Sequence, residues 1–226
     1  MQRRITAVIA TAVSAMMASL GGLAQAGQFS AEIVTSTAAG EAVGTPGKLY
    51  VDDLKVRIEI SDFPDSFLLI DGSVPAAYLV RPQSHVFMDA MQSSRLTRLF
   101  VPLAADDPCP QWQTMAEVAG IADQSGRWRC EAGGRETIAG RAAVKFEAIS
   151  PSGRSAGWID PELKFPLKIA TEDGATFGLR NIQEASQPED LFVIPTSYKK
   201  FDPRLLLERL RHSDVLIDPP NQDPEK

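Results

Sequence analysis

Between Leu54 and Ile60 the chain alternates strictly. Leu54, Val56, Ile58 and Ile60 are apolar, while Lys55, Arg57 and Glu59 are charged. That is the period-two signature of a strand with one buried and one solvated face. Gly47 to Asp53 leads straight into it, so the stretch from Gly47 to Ile60 predicts a very long strand, on the order of 40 Å if fully extended. Strands of that reach belong to large, strongly curled antiparallel sheets. Asp52 and Asp53 within it are read as a hairpin or bulge feature. Adjacent residues of a strand point to opposite faces, so the two carboxylates cannot converge on a cation or form a catalytic dyad.

The rest of the chain repeats the theme. Gln28 to Thr37 is rich in β-branched residues and predicts a first strand with Phe29, Ala31 and Ile33 on one face, antiparallel to its successor after a loop over Ala38 to Pro46. Short strands follow at Phe67–Ile70, Ala76–Val80 and His85–Asp89, separated by Asp71-Gly72 and Arg81-Pro82-Gln83 turns. Further strands are predicted over Glu136–Ile149, Ala156–Ile159, Leu163–Ala170 and Thr176–Ile182, giving about nine or ten in all. The wholly apolar Leu191–Ile194 is expected to be buried on both sides or to plug an end of the sheet.

From Ser93 to Cys130 the alternation stops. Leu96, Leu99 and Phe100, then Trp112, Met115 and Ala122, recur at helical spacing, which predicts a helix from Gln111 to Ala122 after Pro108 and Pro110. It either covers an open end of the sheet permanently or serves as a lid, with Trp112 and Met115 on its apolar side. A short C-terminal helix over Arg204–His212 is predicted from the Asp202-Pro203 start.

The first 26 residues combine Arg3-Arg4, an uncharged apolar run from Ile5 to Leu20 and Ala24-Gln25-Ala26, the three parts of a cleaved secretory signal. Three segments are therefore expected: a signal over 1–26, one domain over 27–212 and a disordered tail over 213–226. The expected compartment is the periplasm, with no membrane-spanning segment after cleavage. Losing Arg3 and Arg4 takes the formal net charge from −6 to −8, which argues against nucleic acid or anionic lipid surfaces as partners. The two cysteines, Cys109 and Cys130, then meet an oxidising environment and have one way to pair.

Candidate chemistry is sparse. His85 and His212 have no second metal-type residue at useful spacing, and no nucleophile elbow, phosphate loop or paired-cysteine zinc pattern occurs. We expect no catalytic residues, no metal and no cofactor.

Three stretches carry a family resemblance: Gly47–Val51 with Lys55–Glu59, Trp158–Ile169, and Pro188–Lys199. In them the chain resembles the outer-membrane lipoprotein-sorting and carrier proteins of the LolA/LolB-like superfamily, in its uncharacterised periplasmic branch. The resemblance implies an unclosed antiparallel β half-barrel with short helices over its mouth and an apolar cavity that takes lipid acyl chains. Cavity lining is then expected from Leu54, Val56, Ile58, Ile60, Phe146, Phe165, Leu167, Ile169, Phe177 and Leu179. The expected function is non-enzymatic binding or carriage of lipid, lipoprotein acyl chains or another hydrophobic ligand. The alternative is an envelope scaffold of the same fold, binding a protein partner, with a cavity filled by its own side chains. A lipid-acting enzyme is the third class, for which no nucleophile–base pair can be assembled.

Overall fold

A computed structural model describes residues 27–61, 63–74, 76–90, 96–104, 106–118, 129–150 and 153–203, together with 205 and 208. The expected signal segment, residues 119–128, most of the expected C-terminal helix and the expected tail lie outside the described residues, as does the side chain of Met115.

The chain forms one twelve-stranded sheet. Its strands are β1 (Phe29–Ser36), β2 (Ala42–Asp52), β3 (Lys55–Glu59), β4 (Phe67–Asp71), β5 (Ala76–Arg81), β6 (Val86–Asp89), β7 (Arg129–Ile138), β8 (Arg141–Ser150), β9 (Gly153–Asp160), β10 (Phe165–Ala170), β11 (Thr176–Glu184) and β12 (Lys199–Lys200). Among the described residues, two helices, α1 (Leu96–Leu99) and α2 (Cys109–Val118), lie between β6 and β7. The spatial order is β12-β6-β5-β4-β3-β2-β1-β11-β10-β9-β8-β7, and no ladder joins β12 to β7, so the barrel is not closed by hydrogen bonds. All pairs are antiparallel except β12 with β6.

Three differences from the sequence reading account for the strand count. The Gly47–Ile60 stretch is a hairpin rather than one long strand. Asp53 adopts a positive φ of 52° and Leu54 completes the turn, after which Val51 pairs with Val56 and Leu49 with Ile58. Leu54 therefore sits on the rim, 44% exposed, instead of on the inner face. Glu136–Ile149 is likewise two strands, split at Ala139-Gly140 where both residues have positive φ. The third addition is β12. In addition, Ala42 to Pro46 belongs to β2 and not to the preceding loop, and His85 ends a 3₁₀ turn over Pro82–Ser84 instead of opening β6.

The inner face of the sheet converges on a single core. Phe29 and Ile33 of β1, Leu49 and Val51 of β2, Val56 and Ile58 of β3, Leu68 and Ile70 of β4, Phe146 of β8, Phe165 and Leu167 of β10 and Leu179 of β11 all belong to it. Strands this far apart in the order share a core only because the sheet curls. Into its hollow run Phe100, Val101 and Leu103, all buried, with Leu103 N–H donating to the Lys164 carbonyl at 2.8 Å.

The outer face carries a second, smaller core of Phe67, Leu69, Val80 and Phe192. Residues Glu189–Phe192 form a 3₁₀ turn that lays Phe192 on β4 and β5, which explains why Phe67 to Ile70 is apolar at every position. Leu191 and Ile194 are half-buried there and Val193 is exposed, so the segment covers the outside of the sheet instead of plugging its end. Arg57, expected on a wet face, is clamped beneath this segment. Its guanidinium lies 3.6 Å from the Phe67 ring centroid and donates to Glu59 Oε1 and to the Leu191 carbonyl.

Candidate functional site

Under α2 the inner face is built from β8, β9, β10 and β11. Phe146, Gly157, Ile169 and Phe177 stand opposite one another in successive ladders, Phe146 with Gly157, Gly157 with Ile169 and Ile169 with Phe177. Directly opposed residues share a face, so these four form a continuous floor. Gly157 is the low point of it. A Cβ there would lie 2.5 Å from Trp112 Cη2 and 2.7 Å from Cζ2, so only glycine lets the indole seat this deeply.

Trp112 is delivered by α2. Asp107 Oδ1 accepts the Cys109 N–H and Trp112 N–H reaches the Pro108 carbonyl at 3.0 Å, which fixes the first turn of the helix. Cys109 is disulfide-bonded to Cys130, with 5.6 Å between their Cα atoms. Cys130 opposes Ala148 in the β7–β8 ladder, so the bond ties the start of α2 to the edge of the inner face. The indole is half-buried against the core, and its Nε1 is buried with no hydrogen-bond acceptor among the described residues.

The predicted lining residues divide into groups. Val56, Ile58, Phe146, Phe165, Leu167, Ile169 and Leu179 are buried; Ile60 and Phe177 are half-buried; Leu54 lies on the rim. The middle of the hollow is filled by protein. Phe165 meets the edge of Phe29 at 5.3 Å and stacks on Phe100 at 6.3 Å between centroids. A separate groove of about 380 Å³ lies on the outer side near the Phe63–Ser66 turn, bordered by Lys48, Arg57, Glu59 and Phe67; of the predicted lining only Ile60 touches it.

Next to the floor, where β9 turns into β10, a charged cluster fixes the corner. Asp160, 1% exposed, accepts the Glu162 and Leu163 backbone N–H groups through Oδ1 and binds the Arg141 guanidinium through Oδ2. Arg141 also reaches Glu184 at 2.5 Å and Glu162 at 3.1 Å. Burial alone would lower the Arg141 pKa, but the hydrogen bond and charge of Asp160, with help from Glu184, raise it overall. Asp160→Ala removes the turn's acceptor and one of three carboxylate partners. Breaking a buried pair costs about 3–5 kcal/mol; because Arg141 keeps two exposed partners, we expect about 2 kcal/mol here, read as a fall in urea midpoint.

On the outer side Trp158 lies between two lysines, with Lys168 Nζ 4.7 Å and Lys145 Nζ 5.5 Å from its ring. Lys145 is held by Glu147 at 2.6 Å, and the hydrogen bond raises the lysine pKa and lowers the carboxyl. Glu32 is lowered too, chiefly by hydrogen bonds from Asn181 and Arg180.

Sequence reasoning missed Gly157, Asp160, Arg141 and the filling role of Phe100. A glycine inside the apolar strand Ala156–Ile159 was the one available sign of a close approach. Among the described residues there is no group of three or more metal-ligating side chains, and no helix is long and apolar enough to cross a membrane.

These elements define an unclosed, mainly β half-barrel with an apolar inner face and a helix clipped across one side of it. No family model matches the chain, and no curated protein matches it. Solved structures do match in fold. PNGF-II aligns at 10% identity and a TM-score of 0.50 over 83% of this chain, which spans only 33% of the length of PNGF-II. A LolA superfamily protein from Nitrosomonas europaea aligns at 12% identity and a TM-score of 0.35, covering 76% of this chain and 91% of that one. MucB of Pseudomonas aeruginosa, in complex with MucA, aligns at 14% identity and 0.34, covering 77% and 58%. Structures of the LolA superfamily are thus among those that align with this chain, and at these identities the likeness is one of fold alone.

Proposed function

We propose that the chain is a non-enzymatic periplasmic protein that binds a lipid acyl chain or a similar hydrophobic ligand on the inner face of its half-barrel. The observation carrying this reading is the floor Phe146–Gly157–Ile169–Phe177 covered by a half-buried tryptophan on a tethered helix. An apolar surface covered by one helix can exchange that cover for a ligand, and apolar concavities with few polar groups are how small hydrophobic molecules are held. The partial exposure of Phe177 and Trp112 supports entry of a ligand on their side of the floor.

A second reading is favoured by a different observation, the packing of Phe29, Phe100 and Phe165 across the hollow. In that reading the protein is an envelope scaffold with a self-filled interior and a protein partner. One experiment separates the two. Solvent extracts of natively purified protein are examined by mass spectrometry. A recurrent lipid at near-stoichiometric yield is the expected result, and a clean blank from protein purified without detergent favours the scaffold.

A further inference from the structure

We propose that Trp112 recognises the polar end of an acyl ligand, its indole N–H donating to a carbonyl or carboxylate oxygen while the chain lies along Phe146, Ile169 and Phe177. This rests on the hydrophobic-ligand reading above and assigns the chemistry of one end of that site. Trp112 Nε1 is buried and, among the described residues, has no acceptor; Trp158 Nε1 shares that state, but Trp158 faces Lys145 and Lys168 on the opposite side of β9 from Gly157. Leaving a buried donor unpaired is costly, and native proteins seldom do so without cause. A tryptophan required only for packing could be replaced by phenylalanine at no such cost.

The ring's placement gives the donor its direction. Cη2 and Cζ2 rest over Gly157, and Nε1 lies two bonds further along the same ring perimeter, so the N–H stands beside the floor. The missing Cβ of Gly157 sets the depth, and the Cys109–Cys130 bond, three residues before Trp112, limits how far the ring can move. Donor and apolar wall are therefore adjacent and fixed, the pairing that suits an amphiphile with an oxygen-bearing head. Alkyl chains ending in a group without an acceptor gain only the wall.

The test uses the full mature protein with two probes of equal chain length, dodecanoate and dodecyltrimethylammonium, titrated by calorimetry below their micelle concentrations. The chain's negative net charge favours the cation, so a preference for dodecanoate runs against the bulk electrostatics. We expect wild type to bind dodecanoate about tenfold more tightly, and Trp112→Phe to lose most of that preference with its urea midpoint nearly unchanged. Gly157→Ala, which pushes the ring off its seat, should reduce the preference in the same way. The Trp112 indole ¹⁵N–¹H resonance, assigned by its absence in Trp112→Phe, should move downfield with dodecanoate only. If dodecanoate binds while the resonance stays put, or if Trp112→Phe keeps the preference, the inference is overturned. If neither probe binds, the hydrophobic-ligand reading fails and this assignment falls with it.

Discussion

Phe165→Ala is expected to destabilise the protein by about 3–5 kcal/mol, toward the upper end of that range for buried aromatics. The phenyl ring is fully buried and sits where three parts of the chain meet. Phe29 comes from β1, whose two neighbours β2 and β11 hold it in place, and Phe100 comes from the segment anchored by the Leu103–Lys164 hydrogen bond. Neither can move inward without breaking the β1 ladders or that hydrogen bond, so the space left by the ring stays open and its contacts are lost outright. Urea unfolding measures the effect as a lower midpoint with little change in slope. A loss below about 1 kcal/mol would mean that the hollow is not closed at this point, because a side chain facing space has little packing to lose.

Removing the disulfide with the pair Cys109→Ser and Cys130→Ser should cost about 3 kcal/mol, the chain-entropy value for a loop of this length. The cysteines are 21 residues apart, and the bond cross-links the start of α2 to β7. Its loss also acts on function. With its first turn released, α2 keeps the Trp112 contact with Gly157 and the Ala104 N–H bond to Gln111 Oε1 but loses its tether to β7, so a bound amphiphile should leave faster. The two effects are separable. Unfolding curves report the first, and dissociation of a bound dodecanoate under native conditions reports the second. Unchanged dissociation in a destabilised variant would mark α2 as a permanent cover.

Much of the architecture was legible because strict alternation leaves few choices. Val56 and Ile58, Val144 and Phe146, and Phe165 and Leu167 all face the inner core as their spacing demands, and Ile169, opposite Gly157 and Phe177, is buried on the same face. Where a strand ends was harder. Leu49 and Val51 are odd-numbered and point in, Val56 and Ile58 are even-numbered and point in, and that slip of one position across Asp53 and Leu54 is what a two-residue turn produces. Leu54 happens to share the phase of the second strand, and so a rim residue passed for a core one. Around Ala139 no such slip could help, since β7 is exposed along nearly its whole length and has no apolar phase to shift. The site itself depended on tertiary contacts. Trp112 had a helical neighbourhood in the sequence, but its meeting with Gly157, 45 residues later, follows from how the sheet curls.

The two margins of the sheet are guarded in different ways. At β7 the guard is built into the strand, with Arg129, Glu131, Arg135 and Glu136 along it and a break in register between Ala132 and Arg135, features that discourage a foreign strand from adding on. At β6 the guard is borrowed: Lys199 N–H donates to the His85 carbonyl and Phe201 N–H to the Phe87 carbonyl. Lys199 and Lys200 come after every other strand in the chain, so an emerging polypeptide has a complete sheet before it has this cover. During that interval the β6 margin is open to self-association.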